Sequence, residues 1–420
     1  MHLTHRKSCR ICGSASLRTV IDLGPQHLQG SFVKAGVESP PMRRIPCVLV
    51  RCDPTADENA CGLLQMQHSV PPEVLYSSYW YRSGTNQTMR DHLSGIVRSA
   101  LKLVRVKRGA ALDIGCNDGT LLRNYPRTWR RIGVDPADIS RDVKDGVQVV
   151  QDIFPSAELN HHFPKLKFDV ITSIAMFYDL ENPVGFVRSI QESLAPDGVW
   201  IVEMSYMPLM LEMNSYDTIC HEHLEYYSLS VIENILRRVG MKVFCAEIND
   251  INGGSIRCYV KHASSIAHKQ DEWLAGLKKL RQSEFDLELD TDKPYKMFQD
   301  RINLHRDQLV ALLKRLKREG KRIHVYGAST KGNTLLQWCN LDNRIIDCAA
   351  ERNPDKYGAF TLGTDIPIVS EADSRAMRPD FYLVLPWHFK EEFMRRETAT
   401  LEKGTGFIFP LPTIEVITRK

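Results

Sequence analysis

The sequence predicts an α/β protein in which a small cysteine-containing β module precedes two parallel-sheet regions. Between residues 110 and 205, candidate strands alternate with helices, which is the pattern of βαβ units. The alternation stops in a polar stretch at 265–320 and begins again from 321 to about 410. Five of the eleven cysteines lie within the first 61 residues. We therefore divide the 420 residues into a β module, a first α/β domain, a helical connector and a second α/β domain, at 1–75, 76–264, 265–320 and 321–420.

The individual elements follow from hydrophobic periodicity and turn residues. Short strands separated by Gly-Pro and Pro-Pro turns are predicted in the first 70 residues. In the connector, leucines at helical spacing predict an amphipathic helix with a solvated charged face; they are Leu309, Leu312, Leu313 and Leu316. A helix at 86–108 precedes the first α/β domain, whose predicted strands are 110–114, 132–134, 147–150, 168–171 and 199–202. The second α/β domain is predicted to contain a strand at 322–327, a helix at 332–340, and strands at 344–350 and 381–385.

The composition is that of an ordinary globular protein. Lysine and arginine number 55 against 51 aspartates and glutamates, so the formal net charge is +4, and 43% of the residues are hydrophobic. The sequence has no apolar run of the roughly 18–20 residues that a transmembrane helix needs. Its first residues lack the apolar core of a signal peptide, and charges of both signs are scattered along the chain. We therefore expect a cytoplasmic protein, a monomer or simple homo-oligomer, with no membrane or nucleic-acid partner.

The clustered cysteines predict a structural zinc site. Cys9 and Cys12 form a CxxC knuckle, and Cys52 and Cys61 form a second, wider pair. In a reducing compartment such pairs more often bind metal than form disulfides, and four thiolates in two loops suit tetrahedral Zn²⁺. Cys47 is the rival ligand, but it has the opposite strand parity to Cys52 and is expected in the core. Unconnected buried thiols are the alternative interpretation.

A glycine-rich turn follows the predicted strand 110–114 and opens a helix. Glycines let the backbone approach a ligand closely, and the helix N-terminus offers free N–H groups. The spacing lacks the GxGxxG fingerprint that a nicotinamide cofactor favours, and acidic residues end the next two strands, where they can accept bonds from ribose hydroxyls. This ordered set resembles the S-adenosylmethionine (SAM) site of class I methyltransferases. The residues expected to bind SAM are Asp113, Gly115, Asn117, Asp118, Gly119, Asp135 and Asp152.

A His-Glu-His sequence lies in the polar segment 216–228. It does not match the metalloprotease motif HExxH, because Glu225 stands where the second histidine would be. His221 and His223 could bind a metal from one strand face, or they could be polar loop residues. The third interpretation is general-base catalysis, because histidine titrates near neutral pH and an adjacent carboxylate can fix its tautomer.

A second glycine turn runs from Gly327 to Gly332 and is not a Walker A motif, because Lys331 precedes the last glycine. Glu351 ends the next predicted strand, as in a dinucleotide-type turn. Ser329, Lys331 and the backbone N–H groups could hold a substrate diphosphate. A purely structural second domain is the alternative.

The whole chain resembles the three-domain sugar C-methyltransferases that act at C-3 of nucleotide-linked 4-keto-6-deoxy sugars. Its N-terminal part is similar to their zinc-binding domain in the cysteine pairs and in residues 22–24 and 62–65. Residues 113–119 resemble their class I SAM-dependent methyltransferase domain, which is Rossmann-like. Residues 326–334 and 353–356 resemble their C-terminal domain, which implies a Rossmann-like α/β fold there too.

The resemblance implies SAM-dependent C-methylation through an enolate, in branched-chain deoxysugar biosynthesis. The implied cofactors are SAM and Zn²⁺, and the implied substrate is a dTDP- or GDP-linked 4-keto-6-deoxy sugar. His223 falls on the family's base, oriented by Glu222, and Tyr79 falls on an active-site tyrosine that would donate a hydrogen bond to the C-4 oxyanion. The residues expected to bind the substrate are Tyr81, Ser83, Asn252, Ser329 and Lys331.

Two features depart from the family pattern. Cys220 stands where many relatives have a tyrosine, so a phenol that could support proton transfer is missing, and the second cysteine pair is widened by an insertion. Two other functions remain open at this point. One is an O- or N-methyltransferase acting on a sugar or small metabolite. The other is a zinc ribbon that binds nucleic acid through Arg6, Lys7, Arg10 and Arg18, attached to a degenerate methyltransferase fold.

Overall fold

The computed structural model of the protein describes residues 3–38, 40–76 and 82–419. The chain begins with a small β module in which the two long strands pair antiparallel, from Leu17 opposite Cys52 to Gln26 opposite Ile45. The elements of the module are β1 (Thr4–His5), β2 (Leu17–Gln26), β3 (Phe32–Val33), β4 (Ile45–Cys52), β5 (Leu64–Met66), β6 (His68–Ser69) and α1 (Pro72–Tyr76).

The first α/β domain follows, and its alternation of strands and helices agrees with the sequence prediction. Its helices and strands are α2 (Gln87–Val104), β7 (Ala110–Ile114), β8 (Arg130–Val134), β9 (Gln148–Val150), α3 (Ala157–His162), β10 (Phe168–Ile174), α4 (Pro183–Ser193), β11 (Leu194–Ser205), α5 (Met207–Glu212), β12 (Glu225–Tyr226), α6 (Leu229–Arg237), β13 (Met241–Asn249) and β14 (Ser255–His262). All five predicted strands are present, and β11 extends well beyond the predicted 199–202.

Seven of these strands form one sheet in the order β13-β14-β11-β10-β7-β8-β9. The strands from β11 to β9 pair in parallel, while β14 pairs antiparallel with both of its neighbours. A seven-stranded sheet with one reversed strand beside its edge strand is the class I methyltransferase fold, so the predicted fold class is confirmed. In this fold the cofactor site lies at the carboxyl ends of the central strands.

Two long helices, α7 (Asp271–Asp286) and α8 (Lys293–Arg318), occupy the predicted connector. The carboxylate of Glu284 on α7 accepts hydrogen bonds from the Tyr206 hydroxyl at 2.6 Å and the Ser230 N–H at 2.9 Å. Helix α8 buries an apolar face that includes Leu309 and Leu313, as its leucine spacing predicts. Both helices therefore pack against the neighbouring domains over much of their length.

The second α/β domain has a six-stranded sheet in the order β18-β16-β15-β19-β20-β21, parallel except for the last strand. Its elements are β15 (Ile323–Tyr326), α9 (Thr330–Trp338), β16 (Cys348–Glu351), β17 (Phe360–Thr361), β18 (Ile368–Ser370), α10 (Glu371–Ala376), β19 (Phe381–Val384), α11 (Lys390–Arg396), α12 (Thr398–Glu402), β20 (Gly406–Phe409) and β21 (Glu415–Ile417). The strand predicted at 344–350 begins only at Cys348. Asp342 organises the preceding turn, because its carboxylate accepts from the Arg344 N–H and its carbonyl from the Ile346 N–H.

The β module is joined to both α/β domains by strand pairing. Strand β12, which comes after the first α/β domain's central strands, pairs with β5, so that Glu225 lies opposite Gln65. Strand β17 of the second α/β domain pairs with β3, with Phe360 opposite Val33. One continuous apolar core contains side chains of the module, α8 and the second α/β domain. Within the described parts of the chain, no helix is long and apolar enough to cross a lipid bilayer.

Candidate functional site

The glycine-rich turn lies at the carboxyl end of β7, in the centre of the seven-stranded sheet. Gly115 and Gly119 have φ values of 73° and 74°, in the left-handed region that favours glycine. Asp113 is buried in β7 and accepts a hydrogen bond from the Thr172 hydroxyl at 2.6 Å. Burial, together with the nearby Asp135 and against the Thr172 hydrogen bond, raises the pKa of Asp113 to about 7. A buried carboxyl in this condition favours a cationic partner, which fits the amino group of SAM.

The other predicted SAM residues surround this turn. The Asp135 carboxylate accepts hydrogen bonds from the backbone N–H groups of Asn117 and Ala137, each at 2.8 Å. The Asp152 carboxylate accepts from the Ser156 hydroxyl at 2.6 Å. Asp118 caps the turn, because one of its oxygens accepts from the Thr120 hydroxyl at 2.6 Å. The carboxylates are therefore fixed at the sheet edge where a ribose and an amino acid would lie.

Ser83 lies against the SAM turn. Its backbone N–H donates to the Asn117 side chain at 3.0 Å, and the Gly84 N–H donates to Asp118 at 2.8 Å. Ser83 was predicted to bind the sugar, and this position brings the segment before α2 next to the cofactor turn. Tyr79 and Tyr81, which belong to the same predicted group, lie outside the described residues.

His223 has one ring nitrogen fixed by the backbone. Its Nδ1 lies 2.7 Å from the carbonyl oxygen of Thr218. Because a carbonyl can only accept, Nδ1 carries the proton and Nε2 of the neutral ring is an unprotonated acceptor. The ring packs on Tyr178, with the ring centroids 4.3 Å apart. Burial, aided by the charge of Lys331, lowers the pKa of His223 to about 3. The histidine is therefore neutral at physiological pH.

Glu222 does not have the role predicted for it beside His223. The Thr218 carbonyl holds the imidazole, whereas the Glu222 carboxylate lies over Gly30 of the β module and accepts a hydrogen bond from Thr330. A Cβ atom at position 30 would lie 1.7 Å from Glu222 Oε1. Burial raises the pKa of Glu222 to about 7, opposed by the Thr330 hydrogen bond and the charge of Lys356. Glu222 thus lies where all three domains meet.

Lys331 reaches the same place from the first turn of α9. Its ammonium donates a hydrogen bond of 2.6 Å to the carbonyl oxygen of Asn252. Asn252 has a φ of 57°, and the following Gly253 packs against the Trp387 ring. The Trp387 indole N–H donates to the Asp217 carboxylate at 2.9 Å. Diphosphate binding by Lys331 stays a prediction; in the structure its ammonium binds the Asn252 carbonyl, and its charge helps to lower the pKa of His223.

The remaining predicted residues have local roles. The Ser329 hydroxyl accepts from the Gly332 N–H at 3.1 Å and caps helix α9. The Cys220 thiol is fully buried, and burial raises its pKa well above the ordinary range, so it stays neutral. Cys220 is therefore a buried neutral thiol at the position where the resemblance implies a tyrosine. His221 is a structural residue, because its Nδ1 lies 2.7 Å from Gln29 Oε1.

The four predicted cysteine ligands lie together in the β module. The sulfur atoms of Cys9, Cys12, Cys52 and Cys61 all lie within 4.8 Å of one another. The Cys9–Cys61 and Cys12–Cys52 sulfur distances are 3.5 and 3.4 Å. Tetrahedral zinc with Zn–S bonds of about 2.3 Å places sulfurs about 3.8 Å apart, so the donor set fits this ion. Cys47 is buried elsewhere, in the core shared with the second α/β domain, as its strand parity predicts.

A buried ionic contact connects this cysteine cluster to the His223 segment. Arg10 lies inside the CxxC knuckle, and its Nε is 3.7 Å from Glu225 and 3.4 Å from Glu181. The side chains of Arg10 and Glu225 are both 0% exposed. Burial raises the pKa of Glu225 well above its usual range, and the Arg10 charge opposes that shift. Arg10 is therefore occupied inside the protein, which removes it from the basic group considered for nucleic-acid binding.

Comparison with known proteins agrees with this architecture. Three family models match the chain in order: "Putative zinc binding domain" at residues 9–76, "Methyltransferase domain" at 87–246 and "C-methyltransferase C-terminal domain" at 250–412. Together they cover nearly the whole chain. The chain belongs to the three-domain C-methyltransferases. It is 28% identical over 419 residues to C-methyltransferase NovU from Streptomyces niveus, across 97% of this chain and 96% of that protein.

Solved structures resemble parts of this C-methyltransferase. A SAM-dependent methyltransferase from Clostridium acetobutylicum ATCC 824 matches with 13% identity and a TM-score of 0.32, over 42% of this chain and 92% of its own. The plantazolicin methyltransferase BpumL, in complex with a pentazolic desmethylPZN analog and SAH, matches with 13% identity and a TM-score of 0.34, over 42% and 86%.

Several residues of the site were missed by sequence reasoning. Asp217, Thr218 and Gly30 carry no motif. Only the fold brings Thr218 to His223, Gly30 to Glu222 and Asp217 to Trp387. Trp387 and His388 had a usable signal, because they follow the predicted strand 381–385 and ligand-binding residues collect at the carboxyl ends of parallel strands.

Proposed function

We propose that this SAM-dependent C-methyltransferase methylates C-3 of a dTDP- or GDP-linked 4-keto-6-deoxy sugar, in branched-chain deoxysugar biosynthesis. The observation that carries the proposal is the tautomer of His223, whose Nδ1–H is held by the Thr218 carbonyl. Carbon is a nucleophile only after deprotonation, so a C-methyltransferase needs a neutral base whose free nitrogen can take a proton. His223 meets this requirement through Nε2.

The first step removes the proton from C-3, next to the C-4 ketone. The C-3–H bond breaks, the proton goes to Nε2 of His223, and the electron pair forms the C-3–C-4 double bond while charge moves to the C-4 oxygen. Tyr79 would donate a hydrogen bond to that oxyanion. Asp113, Asp135, Asp152 and the turn from Gly115 to Gly119 would hold SAM, which would supply a methyl group on positively charged sulfur. The enolate carbon would form a bond to this methyl group as the S–CH3 bond breaks, the sulfur would keep the bonding electron pair, and the C-4 carbonyl would form again.

Zinc has a structural role in this proposal. The four sulfurs complete a tetrahedral set, which leaves no open position for a substrate or water. Zn²⁺ bound there would fix the knuckle that carries Arg10, and Arg10 contacts Glu225, two residues beyond His223. The metal would therefore stabilise the β module and position the His223 segment without taking part in proton removal.

The test is hydrogen exchange at C-3. The protein is incubated with dTDP-4-keto-6-deoxyglucose or GDP-4-keto-6-deoxymannose in deuterated water without SAM, and deuterium at C-3 is followed by NMR. We expect exchange by the wild-type protein, a loss of about 10²–10⁴-fold in His223→Asn, and no loss in the exposed control His161→Asn. With SAM present, mass spectrometry should find one added methyl group on the sugar.

The same experiment separates the alternatives. An O- or N-methyltransferase would methylate its substrate without C-3 exchange, and equal exchange by His223→Asn would remove His223 from the role of base. A nucleic-acid-binding protein would bind nucleic acid with an affinity that falls steeply with salt concentration and would give no exchange.

A further inference from the structure

Lys331 is a charged side chain of the candidate site that has no role in proton removal in the proposed function. Its ammonium is fixed by the Asn252 carbonyl at 2.6 Å. Among the described residues Asn252 is its one hydrogen-bond partner, so two of its three N–H donors are left for a ligand.

The surroundings of this ammonium group are built as a ligand site. Ser215 Oγ, Asp217 Oδ1 and His388 Nδ1 are buried and have no hydrogen-bond partner among the described residues. Ser215 and Asp217 are only 3% and 1% exposed. Buried polar atoms in native proteins are almost always paired, so three unpaired atoms in one cluster indicate a polar group that binds there.

The position of Lys331 relative to His223 indicates which polar group of the substrate would bind at this cluster. Contacts lead from Lys331 to His223: Gly253, next to Asn252, packs against Trp387, and the Trp387 indole N–H donates to Asp217. The carbonyl of the next residue, Thr218, holds the His223 ring. Burial and the charge of Lys331 both lower the pKa of His223 and of His388. The carbon that loses its proton to His223 is bonded to the carbonyl carbon, so the carbonyl oxygen is two bonds from the site of proton removal. A cation beside the base is therefore within reach of that oxygen.

The other cations near the site are already neutralised. The Lys356 ammonium donates to the Ala328 carbonyl at 2.6 Å and lies 3.9 Å from the Glu351 carboxylate. Burial lowers the pKa of His388 to about 3, so this imidazole carries no charge at neutral pH. Burial lowers the pKa of Lys331, and the charge of Asp217, whose carboxylate also accepts a hydrogen bond from the Trp387 indole N–H, opposes that shift and favours the ammonium form.

We propose that Lys331 is a catalytic residue that donates a hydrogen bond from its ammonium group to the oxyanion forming at C-4 of the sugar. The proposal rests on the proposed C-3 methylation. As His223 takes the C-3 proton, the negative charge on the C-4 oxygen increases and the hydrogen bond from Lys331 strengthens. Lys331 keeps its proton throughout, and the charge on oxygen returns to the carbonyl when C-3 takes up the methyl group.

The test separates this role from the diphosphate-binding role first expected of Lys331. Exchange at C-3 without SAM is measured for Lys331→Met and Lys331→Gln, with Lys317→Met as a control whose ammonium pairs with Asp347 on the surface. An oxyanion donor is typically worth about 10²–10³-fold in rate. We expect a loss of that size in kcat for exchange, while the dissociation constant of dTDP-4-keto-6-deoxyglucose changes less than threefold. The control keeps the wild-type rate.

Each outcome decides the matter. A raised dissociation constant with an unchanged exchange rate in Lys331→Gln assigns Lys331 to the diphosphate and overturns the proposal. Gln keeps a donor for the Asn252 carbonyl, so this variant decides even if Lys331→Met fails to fold. The absence of exchange in the wild-type protein with both nucleotide sugars overturns the proposed function, and the role of Lys331 with it. Exchange by wild type that both Lys331 variants retain in full overturns the role of Lys331 alone.

Discussion

Replacement of Gly30 by alanine tests whether the β module shapes the catalytic site. The added Cβ would lie 1.7 Å from Glu222 Oε1 and 2.8 Å from Glu222 Cδ. Ordinary C···O contacts are about 3.3 Å, so the carboxylate must move by about 1.5 Å. That shift is about half the length of a hydrogen bond and breaks the bond that Glu222 accepts from Thr330.

The expected cost divides unequally between stability and rate. The clashing atoms are at the end of a flexible side chain, and Gly30 does not have a left-handed backbone conformation. The free energy of unfolding should therefore fall by about 1–3 kcal/mol. Glu222 directly precedes His223 in the chain, so a shift of Glu222 also disturbs the position of the proposed base. A misplacement of about 1 Å at a catalytic site can cost about 10²-fold in rate. We expect Gly30→Ala to lower C-3 exchange by about that factor, while thermal denaturation shifts by a few degrees.

Two comparisons make the measurement decisive. Gly276→Ala, inside the exposed helix α7, places its Cβ more than 4 Å from any heavy atom of the described residues and should stabilise the protein by up to about 1 kcal/mol. Gly30→Ala combined with Glu222→Ala should recover the lost stability, because the clash is gone. The reasoning is refuted if Gly30→Ala exchanges C-3 hydrogen at the wild-type rate.

Three further predictions concern the metal, the buried ion pair and a buried acid. Cys12→Ser should lose about one equivalent of zinc per chain, measured by atomic absorption, and should unfold at a lower temperature. The control Cys245→Ser, outside the cluster, should keep its zinc. Full thermal stability in a metal-free Cys12→Ser protein would contradict a structural role for zinc. Arg10→Met leaves the Glu225 carboxyl buried without its partner and should lower the free energy of unfolding, measured by urea denaturation, by about 3–5 kcal/mol. Adding Glu225→Gln should restore part of this loss. A loss below about 1 kcal/mol would show that the pair is not buried. Asp113 has a native pKa of about 7 against 3.8 when unfolded, so between these pH values the native state holds one more proton than the unfolded state. The free energy of unfolding without SAM should therefore fall as pH rises through that window, by at most about 1.4 kcal/mol per pH unit. Asp113→Asn should remove this slope from thermal denaturation measured at pH 5, 6 and 7, and an unchanged slope means that Asp113 is not its source.

The central strands of the first sheet were predictable because local patterns determine them. Strand 110–114 was found at its predicted bounds, since an apolar run interrupted only by Asp113 and followed by a glycine turn is sufficient to locate a buried parallel strand. The strand predicted from 344 was wrong at its start, because the apolar Ile345 and Ile346 lie in a turn organised by Asp342. A side chain that bonds to nearby backbone can override hydrophobic pattern, and the sequence pattern does not reveal it.

The catalytic site was predictable only in part. His223 could be selected because its residue type and polar surroundings suit a base, and its Nε2 is available in the structure. The group that holds the His223 ring could not be predicted. The neighbouring Glu222 was the obvious candidate, whereas the structure uses the backbone carbonyl of Thr218, and every residue has such a carbonyl. Likewise the Lys331 side chain turns towards Asn252, a residue 79 positions away in the sequence, and no local pattern specifies that contact.

The pairing of β12 with β5 has a consequence for the order in which the chain folds during synthesis. Residues 64–66 emerge from the ribosome about 160 residues before their partner strand at Glu225–Tyr226. Until then, the outer edge of β5 exposes unpaired N–H and C=O groups, and such edges promote aggregation. We expect a nascent chain released before residue 226 to be more prone to aggregate than one that includes it. The segment that carries His223, the proposed base, therefore also completes the N-terminal sheet.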